Sequence, residues 1–280
     1  MQLIDGIALA EGIYKTFPER LAKLNYAPIL ADIIVGDDPV ALSYVRIKNR
    51  TAKKRGLDFH TEQLPATSSL EEIQQAIGKI QQRPNVAGLI VQLPLPRGIN
   101  QDEALGALDP RLDVDCIGPK TNQLFYEGQA PWLPPTAGGI WEILQSLPIG
   151  FKKLQIAVIG QGELVGKPIT FLLRQAGCSV ITATQADSDL TAFLKDADIV
   201  ISGTGKGGLI TGDLLKPGAI VIDAGTSESN GGIIGDVDKE SVSKVAGWLS
   251  PVPGGVGPVT VAKLLDNVLK AAELKAQQAN

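Results

Sequence analysis

Gln155-Ile156-Ala157-Val158-Ile159-Gly160-Gln161-Gly162-Glu163-Leu164-Val165-Gly166-Lys167-Pro168 is the stretch that decides the fold class. A short, continuously apolar run ends on a glycine turn that opens a helix. Its lack of alternation fits a parallel strand covered on both faces. Glycines at such a strand's end let backbone N–H groups approach a phosphate at the helix N-terminus. The spacing is GxGxxxG, one residue longer than the common dinucleotide fingerprint. Downstream, Ser179–Ala183, 199–201 and 219–223 read as further strands, and a polar helix ends near Asp196. A second glycine turn, Gly203-Thr204-Gly205-Lys206-Gly207-Gly208, follows the strand at 199–201. Strand–helix alternation at this spacing predicts a doubly wound parallel sheet with ligands at the strands' carboxyl ends.

The N-terminal half follows the same logic. Ile29–Val35 is a β-rich run stopped by Gly36-Asp37-Asp38-Pro39. Residues 40–55 read as a helix that places Tyr44, Ile47 and Lys48 on one face, with Gly56 as its stop. A strand follows at 58–63, Ser69 and Glu72 have capping-box spacing, and Val86–Val91 is a third strand. Residues 260–275 form an amphipathic helix, after which the tail 277–280 frays. Two Pro- and Gly-rich joints, at 131–139 and 250–258, divide the chain, the first leading into a helix at Ile140. The expected plan is α/β with two domains. Residues 1–136 form an N-terminal three-layer domain, 137–251 an inserted Rossmann-like domain, and 252–280 a C-terminal helix returning to the first. A cleft between domains is the default ligand site.

Composition sets the outer limits. Of 280 residues, 44% are apolar and 20% charged, as in ordinary globular chains. No apolar run nears the ~20 residues of a bilayer span, and no signal peptide is legible at Met1, so a cytoplasmic protein is expected. A net charge of −4 without a basic block argues against nucleic acid as a partner. The single histidine, His60, and two distant cysteines, Cys116 and Cys178, leave no metal site to expect. Proton handling would fall to Lys, Tyr, Asp or Glu.

Three further motifs could carry chemistry. Tyr44 and Lys48 stand at i, i+4 on one helix, and a lysine beside apolar groups can exchange protons near neutrality; the plainer reading is a surface lysine beside a half-buried tyrosine. In Val91-Gln92-Leu93-Pro94-Leu95-Pro96 the prolines end the strand and present Gln92 at its carboxyl end. Asp113 and Asp115 share a face if their segment is extended, as an acid pair or as part of a polar loop.

Taken together, YxxxK at 44–48, the Gln92 segment, Asp113-Val114-Asp115 and Pro251-Val252-Pro253-Gly254-Gly255-Val256-Gly257-Pro258 followed by Thr260-Val261-Ala262 resemble one family over nearly the whole chain. It is the bifunctional methylenetetrahydrofolate dehydrogenase/methenyltetrahydrofolate cyclohydrolase (FolD) family. The resemblance implies an enzyme of one-carbon metabolism. A nicotinamide cofactor, NAD(P), takes hydride from 5,10-methylenetetrahydrofolate, and water then opens the methenyl cation to 10-formyltetrahydrofolate. It further implies that Lys48 handles the proton, that Gln92 hydrogen-bonds Lys48, that Tyr44 orients the folate and that Asp115 binds the pterin edge. Val91, Leu93, Pro253, Gly254, Gly255, Val256 and Gly257 would contact the substrate. Gly160, Gln161, Gly162, Gly166 and Thr226 would hold the cofactor. A homodimer is expected on the same ground.

Three segments depart from the family's habit. Cys116-Ile117-Gly118-Pro119 follows the second acid, Pro135-Thr136-Ala137 stands where Cys-Thr-Pro is usual, and Gln161-Gly162 stands where Arg-Ser is usual. Family habit favours NADP. The absence of a base at 161–162 and at 184–187, where Asp187 adds an acid, favours NAD. Alternatives are a cyclohydrolase-only folate enzyme with weakened dehydrogenase, a Rossmann dehydrogenase of a small acid resembling shikimate dehydrogenase, and a non-catalytic folate- or nucleotide-binding protein.

Overall fold

In the computed structural model, the described residues are all but 185, 186, 188, 230, 231, 279 and 280. The chain divides into two compact units, Met1–Glu11 with Thr136–Lys263, and Gly12–Pro135 with Leu264–Asn280.

The second of these units is built on three parallel strands in the order Asp58–Leu64, Ile29–Val35, Val86–Val91. Alternation along the central strand sends Ala31, Ile33 and Val35 against Ile73, Ile77 and Ile80 of the helix Leu70–Gln81. Leu30, Asp32 and Ile34 face the other side. There Gly88 leaves room for Val114 and Val268, each 2.9 Å from where a glycine β-carbon would stand. The strand Val86–Val91 is buried along its whole length, whereas the edge strand Asp58–Leu64 is only partly covered. The capping box at Ser69 and Glu72 is formed, with hydrogen bonds of 2.8 and 3.2 Å. Asp38 caps the helix Pro39–Lys54 through the Ala41 N–H at 2.8 Å, and Gly56 follows that helix at φ +85°.

The C-terminal helix Val256–Gln278 contributes its residues from 264 onward to this unit. Buried Asn267 Nδ2 donates to the carbonyls of Val114 and Leu133, both at 2.9 Å. Arg20 clamps Asp266 at 2.6 Å and Glu273 at 2.7 and 2.8 Å. The helix reaches Gln278, and the last residues of the tail expected to fray, Ala279 and Asn280, lie outside the described residues.

The other unit is a six-stranded parallel sheet in the order Gln2–Leu3, Trp248–Ser250, Ile220–Asp223, Ile199–Ser202, Gln155–Ile159, Ser179–Ala183. Its central strands are buried on both faces, among them Ala157, Ile159, Val200 and Val221. The chain runs from Gln155–Ile159 outward to Ser179–Ala183, then back past its start to Ile199–Ser202. The strand order therefore reverses between 155–159 and 199–202, the place where open α/β sheets bind ligands.

Two unit boundaries and one helix start differ from the sequence expectation. Residues 1–11 group with the six-stranded unit because Gln2 and Ile4 donate to the carbonyls of Gly247 and Leu249, at 2.8 and 2.9 Å, and add an edge strand. Residues 252–263 group there too. The helix expected to open at Ile140 opens at Pro135 and runs to Ser146. Pro135 occupies the first helical position, where its missing N–H costs nothing. Gly138 and Gly139 are thus helical rather than linker. A β-carbon on Gly139 would meet the Thr260 nitrogen at 3.2 Å, so the glycine there serves close packing.

Candidate active site

The helix Pro39–Lys54 buries Val45, Lys48 and Ala52. A lysine in that inward stripe needs a counter-charge, because an unpaired buried ammonium is costly. Asp32, in the middle of an apolar strand and fully buried, supplies it: Lys48 Nζ lies 2.7 Å from Asp32 Oδ2. The contact is an ion pair whose alignment falls outside hydrogen-bond geometry, and Oδ2 has no hydrogen-bond partner among the described residues. On the other oxygen, Gln92 Nε2 donates to Asp32 Oδ1 at 2.9 Å. Gln92 therefore reaches Lys48 through Asp32, which joins the two. Burial pushes the Asp32 carboxyl above its usual range, opposed by Lys48 and by the Gln92 amide.

Asp113 and Asp115 part company in a turn. Cys116, at φ +58°, bends the segment. Asp113 is fully buried and accepts from the backbone N–H groups of Gly118 at 2.8 Å and Ile117 at 3.2 Å, while its carbonyl accepts from the Trp132 indole at 2.9 Å. It is a structural group ahead of the helix Pro119–Tyr126. Asp115 belongs to the Lys48 group. Burial pushes its carboxyl up to about 6; the nearby Lys48 charge opposes this, and the Asp113 and Asp32 charges add to it. Tyr44, one turn before Lys48, is 37% exposed, so its ring is open to a ligand. Val91, expected to contact the substrate, is in register with Ile33 and buried in the core on the face of the sheet opposite to Asp32, because alternate residues of a strand face opposite sides; Leu93 precedes the Pro94 turn. Sequence reasoning missed Asp32. Its signal was a lone acid inside Ile29–Val35.

In the six-stranded unit the two glycine turns interlock at the sheet's reversal point. Gly160 sits at φ +90°, and a β-carbon on it would stand 2.5 Å from the Gly203 carbonyl. A β-carbon on Gly166 would overlap the carbonyl of Gly160. Gly162 is open on all sides, and Gly166 begins the ten-residue helix Gly166–Gln175. Gln161 Nε2 donates to the Gly160 carbonyl at 2.9 Å. Exposed Thr226 lies beyond Gly205, whose β-carbon position is 3.8 Å from the Thr226 carbonyl. A tight turn, an open glycine and a helix N-terminus fit a dinucleotide phosphate. Lys167 is ion-paired with Glu163. Asp187 accepts from the Thr184 N–H at 2.6 Å and hydroxyl at 2.9 Å, which hold its carboxyl below the usual range. Gln185 and Ala186, part of the expected cofactor-selecting segment, lie outside the described residues.

The turn 253–257 belongs to the six-stranded unit. It joins Trp248–Ser250 to the helix Val256–Gln278, with Val256 buried and Gly254 at φ +107°. Gly6 and Gly255 approach so closely that a β-carbon on Gly6 would overlap the Gly255 carbonyl.

Residues 4–115 match the tetrahydrofolate dehydrogenase/cyclohydrolase catalytic domain, and residues 134–276 match the NAD(P)-binding domain of the same enzymes. The bifunctional protein FolD of Cupriavidus necator is 40% identical over 279 residues, covering 98% of this chain and 99% of its own. The chain belongs to the tetrahydrofolate dehydrogenase/cyclohydrolase family. A bifunctional FolD enzyme from Campylobacter jejuni superposes with a TM-score of 0.92 at 32% identity, covering 98% of this chain and 99% of its own. The FolD of Trypanosoma brucei, solved with NADP and an inhibitor, superposes at 0.93 and 31%, covering 98% of each chain. Shikimate dehydrogenase from Aquifex aeolicus shares the fold alone, at TM-score 0.57 and 15% identity. As a member of the family the chain is a tetrahydrofolate dehydrogenase and cyclohydrolase whose six-stranded unit carries the NAD(P)-binding sequence. No helix among the described residues is long and apolar enough to cross a membrane.

Proposed function

We propose the following roles in the oxidation of 5,10-methylenetetrahydrofolate and the hydrolysis of the methenyl product to 10-formyltetrahydrofolate. Lys48 receives the proton of the attacking water. Asp115, ionised at neutral pH, accepts N–H bonds from the pterin edge. Tyr44 lays its open ring against the folate. Bound NAD(P) supplies the hydride acceptor. The turn Gly160-Gln161-Gly162 and the helix start at Gly166 hold its phosphates, with Thr226 beside them. Hydride transfer asks the protein mainly for orientation, whereas hydrolysis asks for a positioned acid/base. The observation that carries this reading is a lysine at a core position with two carboxylates, Asp32 and Asp115, within electrostatic reach, the second partly open.

We further propose that NAD serves at least as well as NADP. Lys167 is already engaged by Glu163, and the ionised Asp187 at the end of Ser179–Ala183 would repel a 2′-phosphate and accept from a ribose hydroxyl. An assay with methylenetetrahydrofolate and each cofactor, followed spectroscopically for methenyl build-up, tests both readings. Absence of methenyl or formyl product with either cofactor overturns the first. A roughly 10-fold NADP preference in kcat/KM, ~1.4 kcal/mol, overturns the second. The protein is further proposed to act as a homodimer, which sedimentation of the purified chain would check.

A further inference from the structure

We propose that Asp32 is a positioning residue for Lys48: it fixes the lysine beside the reacting centre and takes the second place for the proton the pair shares. This rests on the role given to Lys48 above.

The geometry has three parts. Asp32 is fully buried on a strand whose neighbours in the sheet are Thr61 and Ile90, neither of them charged. One carboxylate oxygen is occupied by the Gln92 amide at 2.9 Å, which locks the carboxyl plane. The other lies 2.7 Å from Lys48 Nζ, so the two atoms between which a proton would pass already face each other. Here one oxygen is satisfied and the other is left facing the amine.

The surrounding charges are few. Asp115 senses both Lys48 and Asp32, and Asp113 lies behind it. His60 and Glu62 are in register with Ala31 and Ile33, whose side chains occupy the opposite face of the sheet. Burial pushes the Asp32 carboxyl above its usual range, and the Lys48 charge and the Gln92 amide oppose this.

The chemistry balances with one proton on the pair. In the form with neutral amine and carboxylic acid, Nζ presents a lone pair. Water oxygen bonds to the methenyl carbon, an O–H bond breaks with its electrons retained by oxygen, and the proton goes to Nζ. The pair now holds two protons. One passes to the ring nitrogen as its bond to the carbon breaks and the formyl group forms. The product's own hydroxyl proton leaves to solvent, and the pair is restored.

Asp32→Asn keeps the shape and the Gln92 contact but removes the charge and the second proton place. The expected result is a cyclohydrolase kcat lower by roughly 10–100-fold, less than losing the acid/base itself, with KM little changed. The ascending limb of the pH profile should move to higher pH, because without the carboxylate the neutral amine forms only by loss of the lysine's own proton to solvent, whereas in the wild type Asp32 can hold that proton. In a Lys48→Met background the same change should cost no further activity. An unshifted limb, or an additive loss on top of Lys48→Met, overturns the inference and leaves the Lys48 assignment standing. Near-normal hydrolysis in Lys48→Met overturns the assignment itself. Should Asp32→Asn fail to fold, 13C-carboxyl labelling of aspartate in the wild-type protein decides. A resonance assigned to Asp32, as the buried carboxyl signal that is retained in Asp115→Asn and changed in Lys48→Met, supports the proposal if it moves with the kinetic limb and overturns it if it does not.

Discussion

Gly166 begins its helix so close to Gly160 that the carbonyl oxygen of the first turn residue occupies the space a β-carbon on Gly166 would need. Only a glycine closes the turn at this distance, and the closure aims the helix N-terminus at the sheet's reversal point. Gly166→Ala should open the turn and cost dehydrogenase activity chiefly through KM for the nicotinamide cofactor, by roughly 10-fold or more. Because Lys48, Asp32 and Gln92 belong to the other unit, cyclohydrolase activity assayed with supplied methenyltetrahydrofolate should fall much less. Equal losses in both assays would count against a cofactor role for this turn.

Lys48→Met keeps the aliphatic stem and removes the amine. Cyclohydrolase activity should fall roughly 10²–10⁴-fold. Asp32 is then left without its counter-charge in a buried site and should take up a proton rather than remain ionised. The variant's stability should accordingly be lower at high pH than at low pH, relative to wild type. Denaturation at pH 5 and pH 9 checks this.

Asp115 carries opposite demands from binding and folding. Its carboxyl titrates near 6 in the folded chain, above the ordinary value of 3.8, because of burial. A raised carboxylate pKa destabilises the fold wherever the group is ionised, fully above about 6 and not at all below the unfolded value. Asp115→Asn should therefore raise stability at pH 8, by roughly 1–3 kcal/mol, with the gain fading between pH 6 and pH 4. The same variant should bind folate more weakly at pH 8. In the wild type, KM for the folate should worsen as pH falls below about 6, and that limb should be missing in Asp115→Asn. Wild-type folate affinity in Asp115→Ala would remove the residue from the site.

Asp187 gives the cofactor reading a second handle. Its carboxylate is held by Thr184 at 2.6 and 2.9 Å. Replacing it by lysine puts a positive charge where a 2′-phosphate would lie. The NADP-to-NAD ratio of kcat/KM should rise by about 10-fold, ~1.4 kcal/mol, measured at saturating folate. An unchanged ratio would place the discriminating residue elsewhere.

Much of this protein is written locally in its sequence. Val86–Val91, residues 156–159 and, but for Asp32, Ile29–Val35 are apolar runs because both faces of a parallel sheet are covered, and such runs show without any partner in view. The capping box at Ser69 and Glu72 and the Asp38 cap with Pro39 behind it are contacts within a few residues, so spacing alone predicts helix starts there. Tertiary structure decided the rest, and in each case the deciding contact is remote in sequence. Gln2 and Ile4 become an edge strand only because Gly247 and Leu249 offer free carbonyls. Gly138 and Gly139 read as linker until Thr260 packs against their helix. Asp113 and Asp115 share a face only if their segment is extended; the bend at Cys116 turns one toward backbone N–H groups and leaves the other near Lys48. Asp32 is the sharpest case. One acid in an apolar strand has no local meaning, and it acquires one only when the helix lowers Lys48 onto it and the end of the third strand brings Gln92, sixty residues away in the chain, to its other oxygen. Propensity and periodicity act between neighbours, whereas the charge pairing that a buried carboxylate requires is satisfied by whichever element the fold brings alongside.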